Sequence, residues 1–310
     1  MDAVFISKRP DEAAFYRDLI AKTIPGFRLH VWPDVPDPAI VDSALAWQPP
    51  PDFAARLPAL RLLCNLGMGV DYLMEQCALP PDIAIARLVD PNMVEQMAEY
   101  AIYGALHFHR LMPAYEALQR ERRWDELPLP HTAERRIGVL GMGTIGVDIA
   151  RKLAALGFPV AGWTATRRSE PGVESFAGDA ERAAFLARTD ILVCVLPLTP
   201  KTRGILDAKA FATLPKGAYV INIARGAHVV ESDLLAALDA GQIAGAMLDV
   251  VAQEPLLADD PLWSHPRVKI TPHIAGLTNP FTAAAQIGEN IRRLRAGEPI
   301  LNRVDARRGY

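Results

Sequence analysis

The ten residues Ile137-Gly138-Val139-Leu140-Gly141-Met142-Gly143-Thr144-Ile145-Gly146 constrain this chain more than any other stretch. A short apolar run gives way to a glycine-rich turn, and Val147 to Leu156 continues with helical spacing. Strand, G-x-G-x-x-G, helix is the order in which this motif signifies dinucleotide binding. Gly141 permits the tight turn, Gly143 lets backbone approach a pyrophosphate, and Gly146 lets the helix pack on its strand. The helix N-terminus adds N–H donors and a positive dipole end. Glycine-rich turns also punctuate ordinary loops. Here the next strand follows on schedule, Phe158-Pro159-Val160-Ala161-Gly162-Trp163, which favours a cofactor. Gly141, Met142, Gly143, Thr144, Ile145 and Gly146 are therefore expected to line it.

The residues after that second strand select the cofactor. A domain that prefers NAD places an acidic residue about 20 positions on, to hold the ribose 2′-hydroxyl. This chain has Thr164 there, followed by Ala165, Thr166, Arg167, Arg168 and Ser169. The hydroxyls of Thr164 and Thr166 and the guanidinium groups of Arg167 and Arg168 suit a 2′-phosphate, because Arg presents paired donors to phosphate oxygens. The alternative is a solvated basic loop, and position argues for NADP(H).

A length of 310 residues is comfortable for two domains. With 22% charged residues and a net charge of −3, the chain has no basic excess for nucleic acid or membrane surfaces. Met1-Asp2-Ala3 opens without a basic region, so no signal peptide is expected, and no apolar run is long enough for a membrane helix. Three cysteines, Cys64, Cys77 and Cys194, fit a reducing cytoplasm and offer no metal site.

Along the chain, apolar runs alternate with helical patterns. Ala3–Ser7, Leu29–Trp32, Ala44–Trp47 and Leu62–Leu66 read as strands of a smaller α/β unit without a phosphate fingerprint. Its strand-end loops face the expected crevice, which draws attention to Trp47, Met68 and Gly69. Trp47 is also readable as a packing residue and Gly69 as a turn glycine. Asn92 to Glu121 predicts one long helix, with a candidate dimer face; His107 and His109 on it read as structural. After the Gly-rich unit, strands are expected at Asp190–Leu196, Gly217–Ile223, Gly245–Val251 and Val268–Thr271. A helix is expected from Ser232, at its N-cap, to Ala240, with Gly241 after its end, and Asn279–Leu294 reads as a last helix packed on the first domain. Continuous apolar strands point to parallel sheets covered on both faces.

Charged residues stand just past three strands of the second unit: Arg225, Glu254 and His273. In a parallel sheet these ends share one edge with the nucleotide. There a cation can grip a carboxylate and polarise the adjacent carbonyl. An imidazole can donate a proton as hydride arrives at carbon, and an acid can hold that imidazole. Taken singly, each is readable as a surface or capping residue, and spacing leaves Asp249 and Glu254 as competing partners for His273.

These residues carry a resemblance. The chain resembles the D-isomer-specific 2-hydroxyacid dehydrogenases at Gly138–Gly146, Leu196-Pro197-Leu198-Thr199-Pro200-Lys201-Thr202-Arg203-Gly204, Ile221-Asn222-Ile223-Ala224-Arg225-Gly226, Ala246–Val250, Gln253-Glu254-Pro255 and Thr271-Pro272-His273. Further pointers are Ala46–Pro50, Gly67–Asp71, Pro171-Gly172-Val173 and the ending Val304–Tyr310. The likeness implies two doubly wound parallel-sheet domains, a Rossmann cofactor domain over 99–274 and a smaller flavodoxin-like substrate domain over 1–98 plus 275–310. It implies catalysis by Arg225, Glu254 and His273. Asp249, Leu196, Pro197, Ile223, Ala224, Arg225, His273 and Gly276 would be on the cofactor, with Asp249 at the nicotinamide carboxamide. Backbone at Met68 and Gly69 would receive the substrate carboxylate, Trp47 would wall the pocket, and Arg225 and His273 would also touch substrate.

The implied activity is NADPH-preferring reduction of small 2-oxoacids such as glyoxylate and hydroxypyruvate by a cytoplasmic homodimer. Ala165 departs from the Arg found there in the family's reductases, which narrows the margin over NAD(H). The alternatives are a bulkier 2-oxoacid, or a dinucleotide-sensing interaction protein like the corepressors that resemble this family.

Overall fold

A computed structural model describes residues 2–305. Met1 and residues 306–310, the end of the C-terminal stretch used in the resemblance, lie outside the described residues. The chain divides into two compact units, residues 2–93 with 278–305 and residues 94–277.

In the first unit, strands β1 (Asp2–Ile6), β2 (Arg28–Val31), β3 (Ser43–Ala46), β4 (Leu62–Asn65) and β5 (Ala84–Ala86) form one parallel sheet in the order β2-β1-β3-β4-β5. That is the flavodoxin-like doubly wound order. β1, β3 and β4 are buried along their whole length, as strands covered on both faces must be. One face packs Ile20 and Ile24 against Ala283, Ala284, Ile287 and Ile291 of the last helix, Pro280–Ala296. The expected return of this helix to the first unit is thus observed, and Asn279 caps it by accepting the Phe281 N–H.

In the second unit, β6 (Ile137–Leu140), β7 (Val160–Thr164), β8 (Val173–Ala177), β9 (Ile191–Cys194), β10 (Ala218–Asn222), β11 (Ile243–Leu248) and β12 (Val268–Ile270) form a parallel sheet. Its order is β12-β11-β10-β9-β6-β7-β8. The order reverses between β6 and β9, which makes a crevice at their carboxyl ends.

Three local readings change. The single helix expected over 92–121 is two, Pro91–His109 and Met112–Arg120. Leu111 between them is left-handed at φ 55°, and Pro113 in the first turn of the second helix cannot continue the first. Ser232 is not an N-cap: the N-cap of helix Glu231–Asp239 is Val230, two residues earlier, and Ser232 lies in the first turn. β5 and β8 were not anticipated as strands. Among the described residues, no helix is long and apolar enough to cross a membrane.

Candidate active site

β6 ends at Leu140 and the chain turns at Gly141, whose φ of 113° is strained for any side chain. A Cβ on Gly146 would lie 1.8 Å from the Gly141 carbonyl oxygen, so helix Thr144–Ala155 seats on the turn only with glycine there. Gly141 in turn abuts the end of β9, where a Cβ would stand 3.0 Å from the Val195 backbone. Leu196 and Pro197 follow directly. No neighbouring atom comes within 4 Å of a Cβ built on exposed Gly143, so its backbone is open to approach. The turn lies beside the switch crevice and at a helix N-terminus. These residues fit a dinucleotide pyrophosphate.

Past β7, the two arginines separate. Arg168 Nη1 donates to the Met142 carbonyl at 2.9 Å, reaching back to the Gly-rich turn. It also lines a cavity of about 380 Å³ with Thr144, Asp148 and Arg151. Arg167 instead donates to the Ser175 carbonyl at 2.7 Å and pairs with Glu181. Glu181 is itself fixed by accepting the Ala177 N–H at 2.7 Å. The Thr164 hydroxyl is turned onto the Thr166 carbonyl. All of these loop side chains except Thr164 are exposed.

Arg225 is held from behind by a buried asparagine. Asn222, the last residue of β10, donates to the Arg225 carbonyl at 2.9 Å and accepts the Ala224 N–H at 3.1 Å. Buried His228 sets Nδ1 3.0 Å from the Arg225 carbonyl and Nε2 3.3 Å from the Pro197 carbonyl, tying two strand-end loops together. Ile223 and Ala224 are buried in this turn. A Cβ on Gly226 would stand 1.9 Å from the Val251 carbonyl carbon, so the loop carrying Glu254 presses on the turn carrying Arg225.

His273 Nδ1 and Glu254 Oε2 are 2.8 Å apart, and both side chains are about one-third exposed, 37% and 38%. Partial burial pushes the Glu254 pKa up. The His273 hydrogen bond and charge, the Val251 N–H and the Arg225 charge outweigh this and hold it below the ordinary carboxylate value. With a carboxylate on Nδ1, Nε2 is the ring nitrogen left to exchange a proton with a ligand.

Asp249 is not at His273's ring. Its carboxylate, 1% exposed, accepts from Thr271 Oγ1 at 2.6 Å and from the N–H groups of Ile274 and Ala275 at 2.8 Å each. Its carbonyl accepts the His273 N–H at 2.8 Å. Asp249 therefore shapes the loop that bears His273, with Gly276 one residue beyond its grip.

In the first unit, Trp47 follows β3 and lays its ring against Gly67, where a Cβ would come 2.4 Å from the ring. Asn65, buried at the end of β4, donates to the carbonyls of Gly67 and Gly69 at 2.9 and 2.8 Å. A trans peptide sets its C=O and N–H on opposite sides, so the Met68 N–H points away from Asn65. Met68 and Gly69 are half-buried. Asn65, Asn222, Thr271 and Tyr100 (2.5 Å from Thr271 Oγ1) escaped the sequence reading. The one available signal was a polar residue closing an apolar strand, as at Asn65 and Asn222. Among the described residues, no group of three or more His, Cys, Asp or Glu is placed to hold a metal.

With this geometry in hand, similarity to known proteins is decisive. The D-isomer specific 2-hydroxyacid dehydrogenase NAD binding domain matches residues 102–275. The chain belongs to the D-isomer-specific 2-hydroxyacid dehydrogenase family. It is an NAD(P)-dependent oxidoreductase of the CH–OH group. Glyoxylate/hydroxypyruvate reductase A of Klebsiella pneumoniae is 42% identical over 315 residues, covering 100% of both chains. A D-isomer specific 2-hydroxyacid dehydrogenase from Xanthobacter autotrophicus, solved with NADPH and MES, has a TM-score of 0.94 at 45% identity, covering 100% of this chain and 99% of that one. An NADPH-dependent glyoxylate/hydroxypyruvate reductase from Sinorhizobium meliloti, solved with NADP and sulfate, has a TM-score of 0.92 at 36% identity, with the same coverage. Of these relatives, the Sinorhizobium meliloti enzyme is the one described both by an NADP-type cofactor and by small 2-oxoacids.

Proposed function

We propose that this dehydrogenase is an NADPH-preferring reductase of small 2-oxoacids, taking glyoxylate to glycolate and hydroxypyruvate to D-glycerate. The observation that carries the reading is the 2.8 Å His273–Glu254 pair beside the Arg225 turn. Arg225 grips the 2-oxoacid carboxylate and polarises the carbonyl. Glu254 keeps a proton on Nδ1 and stabilises the charged ring, so Nε2 can deliver its proton to the carbonyl oxygen. Bound NADPH supplies the hydride to the carbonyl carbon. In the first unit we assign the carboxylate-receiving role to backbone N–H groups at Met68 and Gly69, with Trp47 bounding that loop. Arg168, Thr164 and Thr166 form the 2′-phosphate end, Arg167 braces that cofactor-binding loop through Glu181 and the Ser175 carbonyl, and Gly141–Gly146 form the pyrophosphate end. Leu196, Pro197, Ile223, Ala224, Asp249 and Gly276 surround the nicotinamide half. We take the enzyme to be a cytoplasmic homodimer.

Initial rates with NADPH and NADH against glyoxylate and hydroxypyruvate test the reading. Fast turnover that prefers NADPH supports it, and His273→Ala abolishes that turnover while the fold persists. Slow turnover with both acids but fast turnover with phenylpyruvate would move the substrate to a bulkier 2-oxoacid. Tight dinucleotide binding without turnover of any 2-oxoacid would replace the enzyme by a sensor.

A further inference from the structure

We propose that Tyr100 is a positioning residue for His273, acting through Thr271 and the buried Asp249 carboxylate. The inference rests on the reading of His273 as proton donor.

Tyr100 lies on helix Pro91–His109, remote in sequence from His273, yet its hydroxyl is 2.5 Å from Thr271 Oγ1. Thr271 Oγ1 lies 2.6 Å from Asp249 Oδ1 and donates to it. A hydroxyl has one proton to give. With that of Thr271 committed to the carboxylate, Tyr100 is the donor to Thr271. Burial raises the Tyr100 pKa to about 12, so the phenol keeps this proton across the working range. Phenol, hydroxyl and carboxylate thus form a directed chain in which each bond polarises the next.

The far end of the chain is the catalytic loop. Asp249 Oδ1 also accepts the Ile274 N–H and Oδ2 the Ala275 N–H, each at 2.8 Å, while its carbonyl takes the His273 N–H at 2.8 Å. His273 is pinned on both sides and holds φ 57°, a left-handed conformation that persists only where surroundings over-determine it. One helical turn before Tyr100, on the same face, Gln96 Oε1 accepts the Leu277 N–H at 3.0 Å. A single helix therefore grips both ends of the segment from Thr271 to Leu277. The alternative is that Tyr100 contributes only ring packing, since its ring lies against the buried cluster around Ala98, Ala101 and Ala275.

Tyr100→Phe keeps the ring and removes the hydroxyl, so it separates the two. In the full-length enzyme we expect kcat with glyoxylate and NADPH to fall about fivefold, the size of one neutral hydrogen bond. Both KM values should stay within about twofold, because the interaction serves the proton-transfer geometry rather than binding. Thr271→Val should cost more than Tyr100→Phe, and Thr271→Ser should restore most of the rate. The double variant Y100F/T271V should be no slower than T271V alone, since cutting the chain at Thr271 already disconnects the phenol. Unchanged kcat in Tyr100→Phe overturns the proposal, and so do losses that simply add in the double variant. His273→Ala run alongside tells the two readings apart. If it keeps turnover, the proton-donor assignment falls; if it is dead while Tyr100→Phe is fully active, only the positioning role falls.

Discussion

Arg168 donates to the Met142 carbonyl inside the Gly-rich turn, whereas Arg167 is engaged with Glu181 and the Ser175 carbonyl. The two guanidinium groups therefore face different tasks. A 2′-phosphate beside β7 meets Arg168 without any prior bond to an acid, while Arg167 must leave a carboxylate to reach it. Arg168→Ala is expected to raise KM for NADPH about tenfold relative to KM for NADH, the scale of one lost charge-assisted phosphate contact. Arg167→Ala should change both KM values by similar, smaller factors, because it loosens the loop for either cofactor. Steady-state kinetics of the two single variants decide it, and a larger NADPH-selective loss in Arg167→Ala would reverse the division. The sequence alone treats these neighbours as one basic pair. It also singles out Arg225, Glu254 and His273, because a charged residue closing an apolar strand breaks a local pattern. Tyr100 and Thr271 break no pattern. The two stand 171 residues apart, and only the fold brings the phenol to the hydroxyl.

Among the elements, the strands of both sheets that are buried on two faces were legible as continuous apolar runs. β8, Val-Glu-Ser-Phe-Ala, is an edge strand with half-exposed residues, so its composition carries no such run. β5 has three residues, too few for any period to register. The helix break before Met112 was written at Pro113 and was overridden by the apolar spacing on either side. At the start of β1, Asp2 shows what sequence spacing hides. It is the register partner of Arg28 on β2 and takes both Nε and Nη2 at 2.8 Å, with His30 Nε2 3.0 Å away. The Arg28 hydrogen bonds, against an opposing effect of burial, hold the Asp2 pKa far below the ordinary carboxylate value. A carboxylate whose folded pKa is depressed stabilises the fold fully above its unfolded pKa, and that contribution is lost as pH falls toward the folded value. Asp2→Asn should therefore lower Tm at pH 7 by about 2–4 °C, a modest figure because Arg28 remains largely in solvent. The deficit relative to the parent chain should narrow as pH drops below about 4, the unfolded carboxylate range. A deficit that stays constant from pH 7 to pH 3 would mean that Asn disturbs packing rather than removing an ion pair.

Across the whole molecule, the alternation of strands and helices fixed two doubly wound sheets, and the Gly-rich turn fixed which of them carries the nucleotide crevice. The outer surface of the second unit was less legible, because an apolar residue on a helix reads the same whether it faces a core or a partner. On helix Pro91–His109, Ala98, Ala101, Ala105 and Phe108 are buried in the unit's own core, whereas Tyr103 is 57% and Leu106 37% exposed. Trp124, in the segment that follows the next helix, is 98% exposed. A large aromatic left entirely in water, on a unit that exposes other large apolar side chains, is costly to a lone chain and typical of an interface anchor. The occupant we expect is a second copy of this chain, meeting it through an isologous face in which the same residues recur on both sides. Light scattering on the purified enzyme should give close to twice the 33.9 kDa chain mass. Tyr103→Arg with Leu106→Arg should shift that mass toward the monomer, because an interface over this face would have to bury four like charges in place of apolar side chains. A monomeric parent enzyme at micromolar concentration would remove the second copy as the partner of this face. A parent dimer that survives both substitutions unchanged would move the interface elsewhere on the second unit, with Trp124→Ser as the next variant to weigh by the same measurement.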